Sequence, residues 1–366
     1  MEAVAKRLFD SILPRWGLML VLSALLAVGL EYAGLPAALL IGPLLAAVVV
    51  AVTAGPVEIP APSFLFAQGI IGLMMAHSVP VSIAGEMARD WPLFVAGVLS
   101  VMVVAAALGW MLARWHVLPG TTAIWGSSPG AATAMMIMAE AHGADIRLVA
   151  FMQYLRVVCV ALVASVVARF WVGSTGDARP QIDWFPAVAW LPVLETLLVI
   201  GAGVLLARVL RLSAGALLLP LILGLVLQHL GWVTITLPPW LLAIAYALVG
   251  WSIGLRFTRP ILVHVARALP RVLASTLALI AICGLLAACL VVVAGIDPLT
   301  AYLATSPGGA DSVAIIAASS KVDMPFVMAM QTMRLFLVLV TGPSVARFIA
   351  GRVSARDRAQ ERAEER

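Results

Sequence analysis

Two stretches of the chain place an amide and a guanidinium together inside an apolar run: "QYLR" at Gln153–Arg156 and "QTMR" at Gln331–Arg334. Residues three apart share a helix face, so each stretch presents both groups to one side. A charge at membrane depth is expensive and faces a bundle interior or a water-filled cavity. Such a pair can hold a negative solute; it can equally bond the carbonyls of a broken helix or reach back to the interface. Upstream of each lies a Ser-Pro-Gly triplet, at Ser128–Gly130 and Ser306–Gly308. Proline removes a donor and breaks a helix, while glycine lets the chain turn and a ligand approach the backbone. Serine at 128 and 306 is expected to cap the half-helix that follows. That would leave free N–H groups at the positive end of a helix dipole, an arrangement suited to anions.

The candidate solute-binding residues are therefore Ser127, Ser128, Pro129, Gly130, Gln153 and Arg156 in the first copy. In the second they are Thr305, Ser306, Pro307, Gly308, Gly309, Gln331 and Arg334. Asp311 stands where the first copy has Thr133. A lone acid there can carry a coupling proton or sodium ion, or pair with Arg334 as a brace. Asp145 and Asp323, each before the last span of its half, read as helix N-caps. Met135, Met136 and Met138 suit apolar packing better than soft-metal binding.

The two sites are copies. At an offset of 178, Thr122, Ala123, Ser128, Pro129, Gly130, Ala132, Ile137 and Ala139 find the same residue again. So do Asp145, Val149, Met152, Gln153, Arg156 and Val160. Gly72 matches Gly250, and "AALLIGP" at 37–43 lies near the register of "GALLLP" at 215–220. The chain divides into a first repeat, 1–178, and a second, 179–366. Duplication of this kind is common in secondary transporters.

The solvent of these elements is lipid. Hydrophobic residues make up 63% of the 366, and charged residues only 11%, against about 25% in soluble domains. Apolar runs near the ~20 residues needed to cross a bilayer recur throughout. Period-2 patterning is absent, which excludes a β-barrel. The expected spans are 16–32, 35–53, 64–81, 92–113 and 148–171, then 188–207, 213–231, 239–256, 270–295 and 326–349. The Ser-Pro-Gly segments, 119–142 and 297–320, fall between the fourth and fifth span of each half.

If each segment enters and leaves on one side, a half has five crossings and the second half is inverted. With the N-terminus inside, the inner loops then hold Arg114, Arg147, Arg208, Arg211, Arg256, Arg259, Arg267 and Arg271. The outer loops hold only Arg89, Arg169, Arg179 and Lys321. Full crossings would send most of these arginines outside, against the positive-inside rule. The expected fold is thus an all-α polytopic membrane protein: two inverted repeats of five transmembrane helices plus one re-entrant hairpin each, ten spans, both ends cytoplasmic. Non-helical backbone at that depth is tolerated where protein buries it or a cavity hydrates it.

Several functions conflict with the sequence. His77, His116, His142, His229 and His264 fall at no ligand-like spacing, so a metal oxygenase is not expected. Neither a triad nor a phosphate-cradling loop is recognisable, and no enzyme activity or cofactor is expected. The net charge of +5 sits in loops and the tail, as orientation requires, and does not indicate nucleic acid. The opening segment has two acids and no small-residue cleavage site, and reads as an uncleaved cytoplasmic end. The tail from Arg352 reads as a solvated helix. Cys159, Cys283 and Cys289 read as small buried hydrophobes.

Duplicated Ser-Pro-Gly with downstream Gln-x-x-Arg resembles the AbrB-type duplicated bacterial membrane proteins, over nearly the whole chain. That family is often labelled an ammonia monooxygenase or an AbrB transcriptional regulator. The resemblance implies an inner-membrane location and an association with regulation of gene expression. The layout of five spans and a glycine-rich re-entrant loop per half also looks like the glutamate and citrate symporters, an architectural analogy. The reading that follows is a secondary transporter or exporter of a small anionic or zwitterionic solute. It would work by alternating access, with the lipid bilayer and a homodimer as surroundings. The alternative is a membrane-embedded sensor that affects gene expression indirectly.

Overall fold

The computed structural model describes residues 12–78 apart from 34, 36 and 56; 91–114; 122–128 with 135 and 139; 143–172; 184–334 apart from 213 and 214; and 337, 338 and 341. All regular structure among them is helical. The first half supplies α1 (Ile12–Tyr32), α2 (Ala38–Thr53), α3 (Ala61–Ser78), α4 (Trp91–Arg114), α5 (Thr122–Ser127) and α6 (Ile146–Val172). The second supplies α7 (Trp190–Val209), α8 (Gly215–His229), α9 (Pro239–Gly254), α10 (Arg259–Val265), α11 (Leu269–Ala294), α12 (Pro298–Thr305) and α13 (Ala310–Ala318). A further helix, α14, covers 324–334.

Five stretches are long and apolar enough to cross a bilayer: Leu13–Tyr32, Trp91–Ala113, Ile146–Val167, Trp190–Val209 and Leu269–Ala294. The expected spans over α2 and α8 prove shorter, at 16 and 15 residues. Local stops explain this. α2 starts after Ala37, which takes the left-handed conformation. α8 ends at Gly231, also left-handed, where Trp232 N–H donates back to the Leu227 carbonyl at 3.0 Å, closing the last turn as helix C-caps do. Cys159 and Cys283 are buried as expected, but Cys289 is exposed. It sits on an outward face of α11, a helix long and apolar enough to cross a bilayer, where a small hydrophobe need not be covered by protein.

The chain forms two compact units, and both draw on both halves. Unit 1 takes Met1–Ala84, Ala161–Arg259 and Asp311–Met328; unit 2 takes Gly85–Val160, Pro260–Ala310 and Ala329–Arg366.

In unit 1, small residues let helix backbones touch. Gly42 of α2 lies against Ala27 of α1, and Ala47, Val50 and Ala51 of α2 pack with Met19 of α1. The numbering runs in opposite senses, so α1 and α2 are antiparallel. Gly203 of α7 against Pro220 of α8, and Gly215 against Ala207, repeat that pairing in the second half. Across the halves the sense changes. Gly250 of α9 meets Leu40 and Leu44 of α2, and Gly254 meets Leu44, Ala47 and Val48. Gly72 of α3 meets Leu217 and Leu221 of α8, and Gly224 meets Leu73 and Ala76. Here the numbers rise together, so α9 runs parallel to α2 and α3 parallel to α8. The α1 side is closed by Trp251, whose Nε1 donates to Ser23 Oγ at 2.9 Å and whose ring stands edge-on to Trp16 at 5.8 Å.

In unit 2, α4 and α11 pack through Val101, Ala105, Leu108, Leu279 and Cys283. Each brings one broken segment with it. Gly109 of α4 has Ser127 Oγ within 2.0 Å of the place a Cβ would take, so α5 lies against the α4 backbone. Thr305 at the end of α12 donates to the Cys283 carbonyl of α11 at 3.2 Å.

Candidate functional site

Both broken segments leave carbonyls that the helix cannot satisfy. An α-helical carbonyl accepts from the N–H four residues on. Four residues beyond Trp125 and Leu303 stand Pro129 and Pro307, which have no N–H. In both halves the conserved-spacing glutamine supplies the missing donor. Gln153 Nε2 donates to the Trp125 carbonyl at 3.0 Å, and Gln331 Nε2 to the Leu303 carbonyl at 2.7 Å. The same amides reach the carbonyls of Ser128 at 3.0 Å and Ser306 at 3.5 Å.

The arginines one turn later complete the cap. Arg156 Nη1 donates to the Ser128 carbonyl at 3.2 Å, and Nη2 to Gln153 Oε1 at 2.8 Å. Arg334 donates from Nη1 to the Ser306 carbonyl and from Nη2 to the Gly308 carbonyl, the latter at 2.6 Å. A planar fork suits such paired acceptors. The serines act differently from the sequence-based expectation. Ser128 Oγ donates to the Ile124 carbonyl at 2.8 Å and Ser306 Oγ to the Leu303 carbonyl at 3.0 Å. They turn back to the half-helix that has ended rather than forward to the one that follows. Such back-bonding to a carbonyl three or four residues earlier is open to any serine at the end of a helix, and it competes with forward capping.

The site is buried and positive. Gln153, Arg156, Gln331 and Arg334 keep 1%, 6%, 0% and 7% of their surface exposed. The two guanidiniums are close enough for their charges to repel, and Cys283 lies near both. Among the described residues neither arginine is in an ion pair. The carbonyls at a helix C-terminus carry only about half a negative charge, so the described carbonyls offset each cation only in part. Arg156 Nε and Gln331 Oε1 are buried with no hydrogen-bond partner among the described residues.

Of the sequence-derived site, the structure brings Ser127, Ser128, Gln153 and Arg156 together at one break. It brings Ser306, Gly308, Gln331 and Arg334 together at the other, with Thr305 holding α12 to α11. Pro307 and Gly309 lie in the turn between α12 and α13. Pro129 and Gly130 lie outside the described residues, as do the side chain of Asp311, the second residue of α13, and Met136 and Met138. Asp145 caps α6 as expected, accepting from Arg147 N–H at 3.0 Å and Leu148 N–H at 3.2 Å. Asp323 does the same for Phe326 N–H at 3.0 Å.

The sequence reading missed His264, whose Nε2 lies 2.7 Å from Asp145 Oδ2. Burial opposes ionisation of Asp145, but His264 and the two backbone donors outweigh it and hold the carboxyl below its usual range. No spacing signal links two residues so far apart in the chain. Among the described residues no three His, Cys, Asp or Glu side chains converge as a metal site would require.

The carbonyl-capping role makes a direct prediction. Gln153→Leu and Gln331→Leu keep the volume and remove the donor; the Trp125 carbonyl then has no side-chain donor, at a cost of about 1–3 kcal/mol, while the Leu303 carbonyl keeps Ser306 Oγ and the loss is smaller. Thermal unfolding of the purified protein in detergent should fall for both. Gln331→Glu should not rescue it, because a carboxylate cannot donate.

Comparison with known proteins finds relatives over most of the chain. The chain is 48% identical over 337 residues to the Escherichia coli (strain K12) protein named "Putative regulator AbrB", covering 92% of this chain and 97% of that one. It is 26% identical over 299 residues to "Uncharacterized protein YhjN" of Bacillus subtilis (strain 168), 77% of each. No solved structure matches. The family model described as "Transition state regulatory protein AbrB" matches residues 39–350, and the chain belongs to that AbrB family.

Proposed function

We propose that this chain is a multi-pass protein of the bacterial inner membrane that moves a small anionic solute by alternating access. Its ten spans form two inverted halves of five, each with one re-entrant hairpin, and both ends are cytoplasmic. The observation that carries the reading is the pair of buried guanidiniums, Arg156 and Arg334, one at each break and neither in an ion pair among the described residues. Burying like charges is unfavourable unless something negative offsets them, and an arriving anion can do so. Broken helices at such sites are how membrane transporters place polar backbone near a solute.

The helix senses in unit 1 support inversion. α2 runs parallel to α9. The segment before α9 lies beside the start of α7, where Thr236 N–H donates to Thr196 Oγ1 at 2.9 Å; α7 is antiparallel to α8, so α9 sets out near the C-terminal end of α8 and runs in the opposite sense to it. The matching helices α2 and α8 then run in opposite senses, as an inverted repeat requires. Solute contacts fall to the two breaks, and Asp311 is the candidate carrier of a coupling proton or sodium ion.

A second reading has one specific observation behind it: the 48% identical relative is named a regulator. In that reading the anion is a signal, and the chain passes its occupancy to a partner protein. Reconstitution decides. Liposomes containing the purified chain should take up or release organic monoanions under a proton or sodium gradient. Absence of flux across a panel of such anions, together with a stoichiometric partner captured by cross-linking in whole membranes, overturns transport in favour of sensing.

A further inference from the structure

Asp145 is a junction. Its backbone N–H donates to Thr122 Oγ1 at the start of α5, at 3.1 Å. Its Oδ1 caps α6, and its Oδ2 lies 2.7 Å from His264 Nε2 of α10. One residue thus ties together three elements of unit 2. α5 leads into the first break, and α6 carries the Gln153 and Arg156 that cap it. α10 begins where the chain passes from unit 1 into unit 2, between Arg259 and Pro260. The His264–Asp145 contact therefore fixes the unit 2 end of that passage to the frame of the first break.

Water reaches both side chains, which are 42% and 28% exposed, so a proton in solution can reach the contact. Among the described residues, the charged and titratable groups where these elements meet are few. They are Asp145 and Arg147 at the start of α6, Arg259 and His264 on α10, and Arg267 and Arg271 around the start of α11; α5 has none. Arginine keeps its charge throughout. Asp145 is held below its usual range and stays a carboxylate near neutral pH. Of the types present, only an imidazole ordinarily changes charge between about pH 5 and 8. The repeat does not reproduce the pair. At the offset of 178 Asp145 matches Asp323, but His264 matches Glu86, and two carboxylates cannot form an ion pair.

We propose that His264 is a pH-sensitive positioning residue: protonated, it locks α10 onto the start of α6 through an ion pair with Asp145; deprotonated, it gives up the charge-assisted part of that contact. The switch stands on the contact itself. Its exposure to cytoplasmic pH, and any effect on solute movement, rest on the transport reading and its inverted topology.

The test is hydrogen–deuterium exchange of the purified full chain in detergent at pH 6 and pH 8, with no solute added. It is read as protection factors, corrected for intrinsic exchange, in peptides covering 143–149 and 259–268. The protonated imidazole makes the ion pair, so its added stability is present at low pH and is lost as pH rises. Protection in the unmodified chain should be about 2- to 5-fold greater at pH 6, the range of an exposed ion pair. His264→Gln and Asp145→Asn should both abolish the difference; asparagine still caps α6, so that loss is not a loss of the cap. His264→Lys keeps its charge at both pH values and should show the pH 6 level at both. Asp323→Asn, at the matching cap, should leave the difference in place. Equal protection at the two pH values in the unmodified chain, a difference that survives in His264→Gln or Asp145→Asn, or a fall in His264→Lys at pH 8 overturns the proposal. If the switch is seen but liposomes move no anion, transport falls and the switch stands. If anions move while protection ignores pH, the switch alone falls.

Discussion

Replacing Arg334 with alanine is expected to lower anion flux in proteoliposomes by about 100-fold, since each lost charge-assisted hydrogen bond is worth about 1.5–3 kcal/mol and every 1.4 kcal/mol is tenfold. Two effects act together. The guanidinium bridges the Ser306 and Gly308 carbonyls across the second break, so its loss frees the turn that contains Pro307. It also supplies one of the two buried positive charges, so its loss weakens the attraction for an anion in a medium that screens little. Lysine separates them. Arg334→Lys keeps the charge, but one ammonium cannot hold two carbonyls in a fixed fork. Recovery of flux by lysine assigns the effect to charge; continued loss assigns it to the bridge. Arg156→Ala should lose flux to a similar extent. Size-exclusion profiles must match the unmodified chain, because a misfolded variant would also be silent. Full flux in both alanine variants removes the arginines from the mechanism.

What was legible in the sequence follows from which physical signals are local. A triplet that breaks a helix, repeated at a fixed offset with Gln-x-x-Arg downstream, locates both breaks without coordinates. The shared helix face of Gln153 and Arg156 is equally a matter of spacing. Legibility ends where a contact depends on which orphaned group lies nearest. The serine hydroxyls were expected to look forward and instead look back, to carbonyls three or four residues earlier, a choice that spacing does not decide. The match of Gly72 with Gly250 was visible too, but not its meaning, because the partners of both lie in the other half.

Those two glycines carry the second large prediction. A Cβ on Gly72 would lie 2.2 Å from the Leu217 carbonyl oxygen, and one on Gly250 would lie 2.6 Å from the Leu40 carbonyl oxygen and 3.0 Å from Leu44 N. The opposing atoms are helix backbone, which cannot swing aside as a side chain can. Relief requires the helix axes to separate, and that loosens every contact along α3–α8 or α2–α9. Overpacking in a well-packed core costs about 1–3 kcal/mol where side chains can adjust; against backbone, Gly72→Ala and Gly250→Ala should each reach or exceed the upper end. Each should appear as a large drop in thermal stability and in the monodisperse yield. Gly201→Ala and Gly284→Ala provide the control, because nothing lies within 4 Å of a Cβ at either. There the only change is the glycine's entropic penalty, and stability should hold or rise by about 0.5–1 kcal/mol. Because α3 meets α8 as α9 meets α2, the losses at 72 and 250 should be close to equal. A harmless Gly72→Ala beside a damaging Gly250→Ala would mean that the exchanged pairing is not symmetric, and the argument for inverted halves would lose its support with it.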